Sequence, residues 1–284
     1  MKKISVLMGI VFFLTACMSN TPQPNSISDA DKIATIVAGT LSAVTLQAPP
    51  TEIPATPTIT PFPGIPVSYD KVSLVIPPTI ANGISGNTLP RVDADSSFWG
   101  GIPEHIHIDL NSYILQGTQP QPKIDVYPAD EYATLQNAIA NNIAKLNNII
   151  ENPTQQLNDE SLPVYHTNAA QLFASNRKVI HFQNGQGVRY ITEFAQYPAP
   201  INNHDVFYYF SGLTDNKKFY ITIFLPINTN QLPENAQIVK TPPSDMQQYY
   251  LNITTLLNNT QADAFIPNID LLDTLISSIN IIEK

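Results

Sequence analysis

Seven of the twenty residues from Gln47 to Pro66 are proline, and most of the others are threonine or small apolar residues. Such a stretch has few backbone donors for a helix or a strand ladder and few large side chains to bury, which predicts an extended, partly polyproline-like spacer. The chain therefore has to fold on either side of this run and not through it. Downstream there is ample chain for one sizeable core. We expect a globular domain over 68–284 and a tether over 17–67. At about 3.1 Å per residue a fully extended tether reaches on the order of 150 Å, and as a flexible coil roughly 40 Å.

Within the tether, residues 28–46 carry Ile33, Ile36, Val37, Leu41 and Val44 near helical spacing, with Asp29 and Asp31 at the favoured acidic end. A short helix is expected there, though Gly39 weakens it. It is either marginal and without a partner or a docking segment.

The residues ahead of the tether follow the order of an export signal: Lys2 and Lys3, an apolar segment from Ile4 to Leu14, then small residues. Eleven helical residues would span only about 16 Å, short of a bilayer core of about 30 Å, so a permanent membrane span is not expected. Leu14-Thr15-Ala16-Cys17 resembles a bacterial lipobox. The resemblance implies that residues 1–16 are a signal peptide, and that Cys17 becomes a lipidated first residue carrying two or more acyl chains, enough for stable anchoring. The protein is then extracytoplasmic, on the cell membrane or the outer membrane. Its first partner is the membrane, through the lipid anchor.

Cys17 is the sole cysteine. An internal disulfide, a cysteine-built zinc site and a free thiol nucleophile are all excluded with it. The formal net charge is −9 and becomes −11 without Lys2 and Lys3, which argues against nucleic acid as a partner. Charged residues make up 13%, against about 25% in an average soluble domain, so Asn, Gln, Thr and Ser must supply much of the polar surface.

From Ser68 the pattern turns to strands and helices of an α+β domain. Val72 to Ile76 is rich in β-formers and stops at Pro77-Pro78; Ile106 to Leu115 follows, then Lys123 to Tyr127. Asp130 to Ile150 predicts one long helix with a stripe of Tyr132, Leu135, Ile139, Ile143, Leu146, Ile149 and Ile150. A helical turn or two is expected at Ala169 to Ser175. Val179 to Phe182 and Val188 to Tyr197 flank a glycine-rich turn, and Val206 to Phe210 and Phe219 to Leu225 flank a polar one. These two hairpins are expected at the centre of a mostly antiparallel sheet. In the last strand Phe219, Ile221, Ile223 and Leu225 point one way and Tyr220, Thr222 and Phe224 the other, so both faces are expected to be covered, by helices. Ser244 is the expected cap of one C-terminal helix and Asn268 of another.

The closing segment Leu271-Leu272-Asp273-Thr274-Leu275-Ile276-Ser277-Ser278-Ile279, behind such a sheet, resembles the end of PsbP-like α/β/α sandwich domains. The resemblance implies a non-catalytic assembly or interaction protein. The family's cofactor-binding residues find no counterpart, so no cofactor is implied.

For chemistry, strand alternation puts His105 and His107 on one face with Asp109 in the same row. They are either a metal pair, the basis of a metal-dependent hydrolase, or ordinary surface histidines. His204-Asp205 offers a base and its orienting group, but sequence neighbours are not expected to face each other. Glu193 lies mid-strand with Arg189 four residues earlier, and an ion pair between them is expected. Aromatic residues crowd one hairpin, where Tyr208, Tyr209 and Tyr220 are either core or an exposed platform for a small ligand or a protein. Trp99 is a further contact candidate. The leading expectation is a tethered, non-enzymatic binding or assembly module; the alternatives are the hydrolase and a structural envelope component.

Overall fold

Apolar residues at alternate positions of the strands, and at helical spacing in the helices, generate two hydrophobic cores on opposite faces of the main sheet. The structure, a computed structural model, describes residues 62–94, 100–239 and 243–282. The lipobox, the signal segment, most of the tether with its expected helix, and Trp99 lie outside the described residues. The chain divides between Ile59 and Thr60, and the second unit, Thr60–Lys284, holds every element named below.

The strands are β1 (Ile65–Tyr69), β2 (Val72–Ile76), β3 (Gly83–Leu89), β4 (His105–Asn111), β5 (Lys123–Pro128), β6 (Ala170–Phe182), β7 (Gly185–Ala195), β8 (Phe207–Thr214), β9 (Phe219–Pro226), β10 (Asn228–Thr229), β11 (Phe265–Ile266) and β12 (Asn280–Ile281). The helices are α1 (Ala129–Leu135), α2 (Asn137–Glu151), α3 (Met246–Asn258) and α4 (Ile269–Ser277). Seven strands form an antiparallel sheet in the order β3-β4-β5-β9-β8-β7-β6, beside a three-stranded sheet β1-β2-β12 and a small pair β10-β11. The fold is mixed α+β, an antiparallel sheet flanked by helices.

One face of β9 presents Ile221, Ile223 and Leu225 to a core shared with Leu272, Leu275 and Ile276 of α4. The other presents Tyr220 and Phe224 to a core shared with Tyr132 of α1 and Ile139, Leu146 and Ile149 of α2. Both alternating sets are thus removed from water, as the pattern requires. Among the described residues no helix is long and apolar enough to cross a membrane.

Several local expectations are corrected. β1 begins at Ile65, inside the proline-rich run, because Pro66 sits on an outer strand where its missing N–H costs no ladder bond. The single helix over Asp130 to Ile150 is two. Gln136 is extended (φ −143°, ψ 117°) and its side-chain amide donates to Gly101 O at 2.9 Å, so a tertiary hydrogen bond interrupts the helical register. Residues 169–175 are not helical but open β6, where pairing of Phe173 with Glu193 and Ser175 with Ile191 overrides local helix preference. The cap of α3 is Asp245 rather than Ser244, accepting from Gln248 N at 2.9 Å. Asn268 caps α4 as expected. Of the two hairpins only β8–β9 is central; β6 forms an outer edge.

Candidate functional site

Alternation on β7, β8 and β9 places Phe194, Phe207 and Phe224 on the face that α1 and α2 cover. The chain between α2 and β6 crosses the same face, packing Leu157, Leu162 and Tyr165 against it. Three side chains fix that crossing. Asn142 of α2 clamps Val164 like a strand partner, its Nδ2 donating to Val164 O at 2.7 Å and its Oδ1 accepting from Val164 N at 3.0 Å. Tyr190 OH donates to Pro163 O at 2.8 Å, and Lys145 Nζ to Leu162 O at 2.9 Å. The next residue, Tyr165, is thereby set over the aromatic floor, edge-on to Phe224 at 4.7 Å and to Phe194 at 6.4 Å between ring centroids.

Beside this crossing lies a cleft of about 240 Å³. Its walls are Tyr165, Phe194, Phe207 and Phe224, and its polar rim is Gln119, Thr167 and Asp205. Tyr165 and Phe194 are half-buried and offer the accessible ring surface, while Phe207 and Phe224 are buried. Phe194 and Phe207 stack at 6.1 Å with planes 22° apart.

The rim is held rigidly. Gln119 N donates to His204 O at 2.9 Å, joining two loops. Asp205 Oδ1 lies 2.7 Å from His204 Nδ1, and Asp205 Oδ2 accepts from Asn202 Nδ2 at 2.9 Å. The neighbours His204 and Asp205 do face each other, against expectation, because Asn202 Oδ1 accepts from His204 N at 3.0 Å and curls the backbone into a side-chain-closed turn.

Behind the rim Asn202 N donates to Glu193 Oε2 at 3.1 Å. Glu193 is buried, and its carboxyl is pushed up to about 8 by loss of water; the Asn202 hydrogen bond pulls it down and the charge of Asp205 adds to the rise. It has no ion pair with Arg189. That guanidinium turns to Asp273 of α4, Nε to Oδ1 at 3.1 Å, because α4 packs on β6, the neighbour of β7, and brings its own carboxylate.

The histidine pair shares a face as the alternation requires, yet the two rings have different surroundings. His105 stacks on Tyr127 at 4.5 Å, its Nδ1 lies 2.9 Å from Pro103 O, and burial lowers its pKa. His107 stands between two carboxylates, Nδ1 to Asp125 Oδ1 at 2.5 Å and Nε2 to Asp109 Oδ1 at 3.2 Å. The hydrogen bond to Asp125 raises its pKa against the opposing effect of burial. Lys123 Nζ completes the cluster at 2.9 Å from Asp125 Oδ2. Burial would push the Asp125 carboxyl up, but its bonds from His107 and Lys123 outweigh that and hold it below its ordinary value. A metal at His107 would have to displace a carboxylate from either nitrogen. Among the described residues no three His, Cys, Asp or Glu side chains are grouped to hold a metal ion.

Tyr208, Tyr209 and Tyr220 are core residues and form no exposed platform, since helices cover both sheet faces. Tyr208 OH donates to Asp273 Oδ1 at 2.9 Å, and Tyr220 OH accepts from Ser211 Oγ at 3.1 Å. The aromatic density of the hairpin does reach a cleft, but through Phe207 and Phe224. Sequence reading missed Tyr165, Gln119 and Thr167; the one available signal was a lone aromatic in the loop Pro163-Val164-Tyr165-His166-Thr167. No protein-family model, curated protein or solved structure matches the chain.

Proposed function

We propose that the chain is a membrane-anchored extracytoplasmic lipoprotein whose C-terminal domain is a non-enzymatic binding module, with the aromatic cleft as its ligand site. The observation that carries the binding reading is the pinned crossing of Tyr165 over Phe194, Phe207 and Phe224, which leaves a preformed concave surface with convergent polar groups at its rim. Anchoring is supported by the order of Lys2, Lys3, the apolar run and Leu14-Thr15-Ala16-Cys17, followed by the proline-rich spacer. A PsbP-like sandwich is the finer fold reading, supported by the antiparallel sheet between helices and by the closing α4 segment.

Two measurements test this. A fragment library screened by NMR against the full Cys17→Ala chain should shift resonances of Thr167, Phe194 and Phe207, and the shifts should disappear in Tyr165→Ala. A library that leaves those resonances unmoved overturns the cleft as a binding site. Detergent-phase partition and acyl labelling in a bacterial host should both be lost in Cys17→Ala; retention of labelling overturns the anchor.

A further inference from the structure

The cleft chemistry identifies a ligand class, an inference that rests on the binding-module reading. Charge narrows the choice first. Among the described residues the lining carries the carboxylate of Asp205 and no cation. Phosphate, sulfate and carboxylate ligands would meet Asp205 at close range, and Lys123, the cation beside Phe224, lies outside the lining and is already engaged by Asp125 Oδ2 at 2.9 Å. A cationic ligand would meet a cation already in place, since Lys123 Nζ lies 5.1 Å from the centroid of the Phe224 ring and is held there by Asp125 Oδ2 at 2.9 Å. A neutral ligand is the complement of this arrangement.

Size and rim polarity narrow it further. About 240 Å³ is below the roughly 300–1,000 Å³ of sites for drug-sized ligands, and suits a single six-membered ring. A plain aromatic ring would strip water from Gln119, Thr167 and Asp205 without replacing the lost hydrogen bonds. A ring bordered by hydroxyls replaces them. Asp205 is arranged for this, because His204 and Asn202 each engage one of its oxygens and leave further lone pairs for ligand hydroxyls. Tyr165 and Phe194, with planes 85° apart, form a corner whose ring faces suit aliphatic C–H groups. A pyranose has both features, an apolar face of C–H bonds and a polar edge of hydroxyls.

We propose that the cleft between Tyr165 and Phe194 binds one neutral sugar ring, with its C–H face against the aromatic corner and its hydroxyls on Gln119, Thr167 and Asp205.

Calorimetric and NMR titration of the full Cys17→Ala chain tests this with methyl β-D-glucopyranoside, cellobiose and N,N′-diacetylchitobiose, and with p-cresol, tetramethylammonium and inorganic phosphate as comparators. At least one glycoside should bind with Kd on the order of 1 mM, the strength expected of one small ring. Phe194→Ala and Asp205→Asn should each weaken it at least tenfold, and Asp205→Asn, a near-isosteric change, keeps the test informative if Phe194→Ala unfolds. If p-cresol, tetramethylammonium or phosphate binds at the cleft and no glycoside does, the sugar assignment is overturned while the binding module stands. If glycosides bind equally well to both variants, the site is elsewhere and the assignment is overturned. Silence of every probe together with an unresponsive fragment screen overturns both readings.

Discussion

Glu193 couples the stability of this domain to pH. Its carboxyl lies behind the rim of the cleft, facing Asn202 and Asp205 from the loop before β8 and Tyr249 and Tyr250 from α3, and burial holds it protonated up to about pH 8. The folded value lies above the ordinary 4.5, so between the two the folded chain keeps a proton that the unfolded chain releases. Stability from this group is therefore intact below about pH 4.5 and is lost as pH rises through 8, on the order of 3 kcal/mol by pH 7. Glu193→Gln should flatten that profile, making the variant more stable than the parent at pH 8 and about equal at pH 4.5. Urea unfolding at the two pH values checks it, and parallel profiles for parent and variant would contradict the linkage. His107 has the same sign: its raised pKa gives a contribution present below about 6.5 and lost as pH rises through its folded value. The sequence placed Glu193 mid-strand and beside Arg189, but it could not supply the Asp273 carboxylate that draws Arg189 away, because that group arrives from 84 residues further along.

The C-terminal helix is fastened to the sheet through that carboxylate. Asp273 of α4 receives Arg189 from β7, Lys178 from β6 at 2.9 Å and Tyr208 from β8 at 2.9 Å. Asp273→Ala strands a buried guanidinium and should cost about 3–5 kcal/mol in denaturant unfolding. Lys178→Ala, whose side chain is 54% exposed, should cost less than about 1 kcal/mol. Equal costs would mean that the helix is held by packing alone. The crossing above the cleft depends on Asn142 in the same way. Asn142→Ala removes both hydrogen bonds to Val164, and it should destabilise the domain by about 1–3 kcal/mol and speed hydrogen exchange at the Val164 amide. Unchanged protection there would show that Tyr190 and Lys145 suffice. Elements with strong alternation, β4 and β9, were legible from sequence because their period is local. The interruption at Gln136 and the strand at 170–175 were not, since a distant carbonyl and a distant strand decided them.

For the whole molecule, one seven-stranded sheet shared by both cores predicts that a chain beginning at Thr60 unfolds in one transition. Two separate transitions in urea would show that the two faces of the sheet unfold independently. Two cores on opposite faces of one sheet explain how a chain with 13% charged residues removes so many aromatics from water. What the sequence determined by itself was local in origin: strands of period two with both faces apolar, and helices with an apolar stripe. Those follow from neighbours a few positions apart. The tertiary structure alone decided which aromatics line a cleft and which are sealed in the core, which carboxylate takes Arg189, and that Gln119, Tyr165, Asp205 and Phe224 converge at one place. These residues span more than a hundred positions, and only strand order and the crossing pinned by Asn142 bring them together.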